Sequence, residues 1–154
     1  MIEVGEKAPP FTLPNQDGEE VALADLAGRT VVLYFYPNAD TPGCTSQACS
    51  IRDRAAEYDA AGAMVVGVSP DPVRAVKRFH RKQSLNFTLL ADEDHAVCER
   101  YGVWIEKSRY GKNESRPARA ARATFIIDGD GTVVHVIPKA SPKTHDDVLE
   151  ALAA

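Results

Sequence analysis

Short apolar runs alternate along this chain with apolar positions spaced by three and four. Phe11-Thr12-Leu13 and Val21-Ala22-Leu23 flank Asn15-Gln16-Asp17-Gly18, which predicts an N-terminal β-hairpin. Val31 to Tyr36 is apolar throughout, as a central strand covered on both faces requires. Ala48, Ile51, Ala55 and Tyr58 share one face of the helix that follows, and Gly62 ends it. Met64 to Val68 is a second buried strand. Asp71 as N-cap and Pro72 at the first helical position open the next helix, with Val73, Val76 and Phe79 on its inner face. Phe87 to Leu90 predicts a short strand, and a short helix runs from about Asp92 to Tyr101, stopped by Gly102. Residues 105–121 are polar and basic and read as a surface loop. Thr124 to Ile127 and Thr132 to Ile137 flank Asp128-Gly129-Asp130-Gly131, a hairpin signal. Val148, Leu149 and Leu152 mark a C-terminal helix. No repeat, low-complexity tract or linker interrupts this order, so a single α/β domain over 1–154 is expected, with a mixed central sheet flanked by helices.

Composition narrows the function classes. At 154 residues with 44% apolar content, the chain can bury a substantial core. A net charge of −4 argues against nucleic acid as a partner. No apolar run approaches the roughly 18 residues of a membrane span. Met1 to Glu6 lacks the basic and apolar regions of a signal peptide, so a cytoplasmic protein is expected. Three cysteines in such a chain are buried thiols, metal ligands or redox groups sooner than a disulfide framework.

Cys44 and Cys49 carry the chemistry. Cys44 follows the Val31–Tyr36 run and opens a helix, where unpaired N–H groups and the macrodipole favour an anion such as a thiolate. A buried, unreactive thiol is the competing reading. Cys49 lies roughly 140° from Cys44 on a helical wheel, off the apolar stripe. Five helical residues separate the two Cα atoms by roughly 8–9 Å, beyond the ~7 Å limit of a disulfide. The pair can therefore bond only if the first turns unwind. Zinc held by Cys44, Cys49, Cys98 and one of His80, His95, His135 or His145 is a third reading, and it lacks a second close ligand pair. Cys98 follows Val97 on the short helix and is expected to be at least partly buried. In the preceding loop, Pro37 and Pro42 fix φ, Gly43 permits unusual angles and close approach, and the Thr41 hydroxyl can cap the helix or donate to a ligand oxygen over the thiol.

Pro37-x-x-x-Thr41-x-x-Cys44 resembles the active-site signature of peroxiredoxins. The longer match through Tyr36-Pro37, Asp40 to Thr45, Gln47-Ala48 and Arg52-Asp53 is similar to the peroxiredoxin Q (bacterioferritin comigratory protein) branch. Gly5-x-x-Ala8-Pro9-x-Phe11, Tyr101 to Trp104, Lys107, Tyr110-Gly111 and Arg122 to Asp128 extend the resemblance over essentially the whole chain. Ile51 departs from it, since many relatives carry an aromatic residue there. The resemblance implies a thioredoxin-like fold and a peroxidase acting on hydrogen peroxide and organic hydroperoxides. It implies Cys44 as the peroxidatic thiolate, Thr41 as a peroxide hydrogen-bonding group and Pro37 as a shield of the pocket. Arg122, rather than Arg116 or Arg119, would stabilise charge, and Cys49 would resolve the oxidised Cys44 as an intramolecular disulfide. It further implies recycling by thioredoxin or a similar dithiol, no metal or organic cofactor, and a monomer. A thioredoxin-type oxidoreductase would favour a Cys-x-x-Cys pair, which is missing here. A redox sensor or holdase would share the first oxidation step. The basic stretch Arg74 to Lys82 reads as the wet face of a helix, with reductant docking as the alternative.

Overall fold

The structure is a computed structural model that describes residues 1–106, 118–139 and 144–153. Lys107, Tyr110, Gly111, Arg116 and the side chain of His145 lie outside the described residues. β1 (Thr12–Pro14) and β2 (Glu20–Ala22) pair antiparallel with Leu13 opposite Val21. Asn15 closes this hairpin, its Oδ1 accepting the N–H groups of Asp17 and Glu19 at 2.9 and 3.0 Å. A 3-10 turn at Leu23–Leu26 leads into β3 (Thr30–Phe35), α1 (Pro42–Asp53) and α2 (Ala55–Ala60). Next come β4 (Ala63–Ser69), α3 (Val73–Lys82), β5 (Thr88–Ala91) and α4 (Ala96–Arg100). The chain continues through β6 (Trp104–Ile105), β7 (Arg119–Ala120), β8 (Ala123–Ile127), β9 (Val133–Ile137) and α5 (Thr144–Ala153).

Five strands form one mixed sheet in the order β5-β4-β3-β8-β9. β3 and β4, and β4 and β5, run parallel; β8 and β9 complete the sheet antiparallel. The all-apolar β3 is its central strand because both of its faces are covered. Val31, Leu33 and Phe35 enter the core that also holds Phe11, Tyr101 and Phe125. Val32, Tyr34 and Tyr36 point the other way, into a second core with Cys44, Ala48 and Phe79. Each large apolar side chain buried this way contributes roughly 1.5–3 kcal/mol. This is the expected thioredoxin-like fold with its N-terminal hairpin.

Four local expectations change. The helix read as continuous from Cys44 to Gly62 breaks at Arg54 (φ −109°, ψ 17°), which gives α1 and α2. Asp71 does not cap α3; Pro72 holds the N-cap position, and Asp71 Oδ2 instead accepts the N–H of Ala39 at 2.8 Å. The helical part of 92–101 is only α4. The buried carboxylate of Asp92 starts it, accepting the N–H groups of Val97 and Cys98 at 3.2 and 2.8 Å. The stretch 105–121 is not all loop: Trp104 pairs with Ala120 and Ile105 with Arg119 in a short antiparallel ribbon.

Candidate active site

The site forms where β3 hands over to α1. Tyr36 extends the strand pairing by one residue, donating its N–H to the Val68 carbonyl at 3.0 Å. Residues 37–41 then turn beyond the C-terminal end of β3 into α1, with Pro37 half-buried. Asp40 adopts φ +64°, a left-handed conformation that aspartate tolerates better than most residues. Contacts from both ends of α3 hold this turn: Asp71, just before the helix, takes the Ala39 N–H, and Lys82 at its end donates to both Asp40 oxygens at 3.2 and 3.1 Å.

Thr41 occupies the N-cap of α1 and Pro42 its first turn. The Thr41 carbonyl accepts the N–H of Thr45 at 2.8 Å, but its hydroxyl does not cap the helix. That hydroxyl donates to the Asn38 carbonyl at 3.1 Å. Gly43 and Cys44 thus sit in the first turn, where N–H groups have no intrahelical acceptor. Cys44 is 2% exposed and belongs to the buried cluster that holds Tyr34, Tyr36 and Ala48. Burial is the main reason that the phenols of Tyr34 and Tyr36 titrate well above the ordinary tyrosine range, so the floor of the site is neutral. After burial, Tyr36, Cys44 and Tyr58 act on Tyr34 in the same upward direction, and Arg122 opposes them.

Arg122 lies in the two-residue link between β7 and β8, and its guanidinium is folded against the first turn of α1. A Cβ at Gly43 would stand 2.7 Å from Nη2 and 3.4 Å from the guanidinium carbon. The close approach therefore explains this glycine, whose φ is not in the left-handed region. Arg122 Nη1 also donates to Gln47 Oε1 at 3.5 Å. Gln47 is 4% exposed, and sequence reasoning gave it no role. Its signal was a polar residue at Cys44 plus three and Ile51 minus four, on the apolar stripe of the helix.

Cys49 lies on the same unbroken α1, half-buried, and its Sγ donates to Gln83 Oε1 at 3.5 Å. All three cysteines are free thiols. Cys98 is fully buried on the inner face of α4, and its thiol is pushed up, first by burial and then by the adjacent Asp92. Among the described residues, no three His, Cys, Asp or Glu side chains converge as a metal site requires, and no helix is long and apolar enough to cross a membrane. A cleft of about 360 Å³ lies between α1, α2 and the start of β4; Cys44 does not line it.

A mixed sheet whose central strand delivers a cysteine to the start of the next helix defines a thioredoxin-like thiol protein. Residues 4–136 match the model of the AhpC/TSA family. Peroxiredoxin Bcp of Escherichia coli is 49% identical over 148 residues, covering 96% of this chain and 93% of the relative. A peroxiredoxin bcp of Coxiella burnetii is 49% identical over 144 residues, 94% of this chain and 93% of its own length. Among solved structures, the bacterioferritin comigratory protein of Xanthomonas campestris superposes with a TM-score of 0.85 at 36% identity, over 93% of this chain and 90% of that one. A cysteine mutant of Xylella fastidiosa peroxiredoxin Q gives 0.88 at 26% identity, over 99% and 96%. The chain belongs to the AhpC/TSA family, in its peroxiredoxin Q/bacterioferritin comigratory protein branch. Membership makes it a peroxidase that works through a thiol.

Proposed function

We propose that Cys44 is the peroxidatic thiol and Cys49 the resolving one. The observation that carries this reading is the guanidinium of Arg122 pressed onto Gly43, beside Cys44, at the first turn of α1. A fixed cation and free N–H groups there face the place where negative charge develops. The Cys44 thiolate attacks the distal oxygen of a hydroperoxide, the O–O bond breaks, and the departing oxygen leaves as hydroxide or alkoxide before taking a proton. Arg122 stabilises that charge, held in place by Gln47. In the resting site the Thr41 hydroxyl is spent on Asn38; peroxide takes over this bond. Pro37 shields the thiol from water.

The product is a sulfenic acid, the first reversible step of cysteine oxidation. After local unwinding of α1, the Cys49 thiolate attacks its sulfur, the S–O bond breaks, and the disulfide forms as hydroxide leaves and takes a proton from solvent to become water. Thioredoxin or a similar dithiol then returns two electrons by exchange. Alkyl peroxide reduction is an activity of the Xanthomonas relative; in this chain both hydrogen peroxide and organic hydroperoxides are expected to serve. The enzyme is read as a cytoplasmic monomer of one domain that needs no cofactor.

Peroxide-dependent NADPH oxidation with thioredoxin and thioredoxin reductase tests this assignment on wild type, Cys44→Ser and Cys49→Ser. Cys44→Ser is expected to be inactive, and full activity in it would sink the proposal. Full thioredoxin-linked activity in Cys49→Ser would remove Cys49 from the cycle. Steady turnover also separates an enzyme from a sensor that is oxidised once.

A further inference from the structure

We infer that the outer face of α3 is the docking surface for an acidic dithiol protein that reduces the enzyme; this rests on the proposed roles of Cys44 and Cys49. Between Val73 and Ala91 the sequence has five cations and no Asp or Glu, on a chain of net charge −4. Arg74, Lys77, Arg78, Arg81 and Lys82 are all exposed and line one shallow surface. Spacings of three and four place them on one side of the helix. Lys82 is paired with Asp40, whereas among the described residues no carboxylate pairs with the other four. Four uncompensated cations so close together repel one another and disfavour the free protein. A partner of opposite charge relieves that cost.

Position identifies the partner. Gln83 caps the C-terminal end of α3 and receives both the Cys49 Sγ–H and, through its carbonyl, Arg52 Nη1 at 2.6 Å. The Arg52 contact lies beyond the segment that unwinds on oxidation, so Cys49 stays within three residues of the end of the basic face when a reductant must reach it. Arg74 is nine residues from Gln83, about 13–14 Å along a helix at 1.5 Å per residue. A standard interface covers ~800 Å² per partner, a disc of radius roughly 16 Å. A protein that seats its nucleophilic cysteine on Cys49 thus covers α3 for most of its length. In the exchange, one reductant thiolate attacks the Cys49 sulfur, breaking the Cys44–Cys49 bond and forming a mixed disulfide. The second reductant thiolate then breaks the mixed disulfide and leaves as the oxidised partner. Two electrons pass to the enzyme, and its two thiolates take up the protons.

The test is turnover of the Arg74→Glu/Lys77→Glu/Arg78→Glu variant with hydrogen peroxide. Dithiothreitol serves as one reductant, and thioredoxin and a glutaredoxin, each with its reductase system, serve as the protein reductants. Glutamate in the first turns of a helix suits its dipole, so the fold should hold. Expected are unchanged peroxide kinetics with dithiothreitol and a roughly tenfold lower kcat/KM for the active protein reductant at low salt. The difference should shrink as salt rises, and Arg74→Lys/Arg78→Lys should behave as wild type. An unchanged kcat/KM for the protein reductant overturns the docking surface, even if the variant loses retention on anionic vesicles or heparin. Turnover with dithiothreitol but with neither protein overturns it as well. No turnover of wild type with dithiothreitol would instead overturn the peroxidase reading beneath it.

Discussion

Gly43→Ala probes the close approach of Arg122 with one methyl group. The new Cβ would stand 2.7 Å from Nη2, whereas ordinary contacts begin near 3.4 Å. The far end of the arginine must therefore retreat, by about 1 Å once room for normal packing is made. Backbone strain does not oppose the change, because Gly43 has no positive φ. Alanine gains up to about 1 kcal/mol over glycine in a helix, and an off-rotamer arginine costs about 0.5–1.5 kcal/mol. The two nearly cancel, so the urea midpoint should stay within roughly 0.5 M of wild type, given slopes of about 1–3 kcal/mol/M. Activity should not stay. A misplacement of about 1 Å in a catalytic group can cost up to about 100-fold, and losing one charge-stabilising donor outright costs about 100- to 1,000-fold. We expect kcat/KM for hydrogen peroxide to fall roughly 10- to 100-fold, within the bounds of those two effects. The double variant with Arg122→Ala separates cause from coincidence. If Gly43→Ala acts through the guanidinium, the double variant is no slower than Arg122→Ala alone. Wild-type kcat/KM in a folded Gly43→Ala protein would refute the role given to this contact.

Other consequences follow from neighbouring contacts. Asp71→Ala leaves the part-buried Ala39 N–H without its acceptor, a penalty of about 1–3 kcal/mol; faster amide exchange at residues 38–41 and lower peroxide kcat/KM are expected, and unchanged exchange would show that Asp71 does not hold the loop. Gly67→Ala puts a Cβ 2.8 Å from the Tyr34 ring and 2.9 Å from Leu89, so overpacking of about 1–3 kcal/mol should lower the urea midpoint. Burial, the largest cause for each, raises Tyr34, Tyr36, Tyr101 and Cys98 and pushes Tyr58 up to about 12. The unfolded chain therefore loses these protons first, at about 8.5 for cysteine and about 10 for tyrosine. Their contribution is fully present below those values and is lost as pH rises toward the folded ones. Urea midpoints should fall from about pH 9 upward, and a midpoint that is flat to pH 11 would contradict the burial of these groups.

The order of strands and helices was legible because burial on both faces of β3, and one face of α1 and α3, leaves a period in the sequence. What stayed hidden depends on contacts across the fold. Asp71 looks like a helix cap from its neighbours, and only the returning loop supplies the Ala39 N–H that claims it. The β6–β7 ribbon is two residues on each side, too short to show a period. The break at Arg54 falls between Ile51 and Tyr58, which stay buried on both sides of it, so the apolar stripe hides it. At the site, helix-start placement made Cys44 visible, and family resemblance selected Arg122 among nearby arginines. Gln47 could have been found as the polar residue that interrupts an apolar stripe. Gly43 was read for unusual angles and for close approach; its φ is ordinary, and the close approach is that of a guanidinium.

The proposed cycle requires part of α1 to melt, and its sequence sets where the melting stops. Unwinding residues 42–49 exposes Cys44, Gln47 and Ala48 and breaks the Arg122–Gln47 and Cys49–Gln83 contacts. Two small apolar side chains and two long hydrogen bonds amount to a few kcal/mol at most. Below this point the helix is held harder. Ile51 is buried, and Arg52 donates to Gln83 O at 2.6 Å while its own carbonyl accepts from Asn86 at 3.3 Å. Opening the first part is therefore cheaper than a global stability of about 5–15 kcal/mol, whereas opening the second part dismantles the core around Tyr58. Amide exchange should show residues 44–49 losing protection on oxidation and residues 55–60 keeping it. Equal protection of 44–49 in both redox states would mean that the disulfide does not form by unwinding α1. Loss across both helices would move the hinge past Arg54 and assign the Arg52–Gln83 contact no role in stopping it.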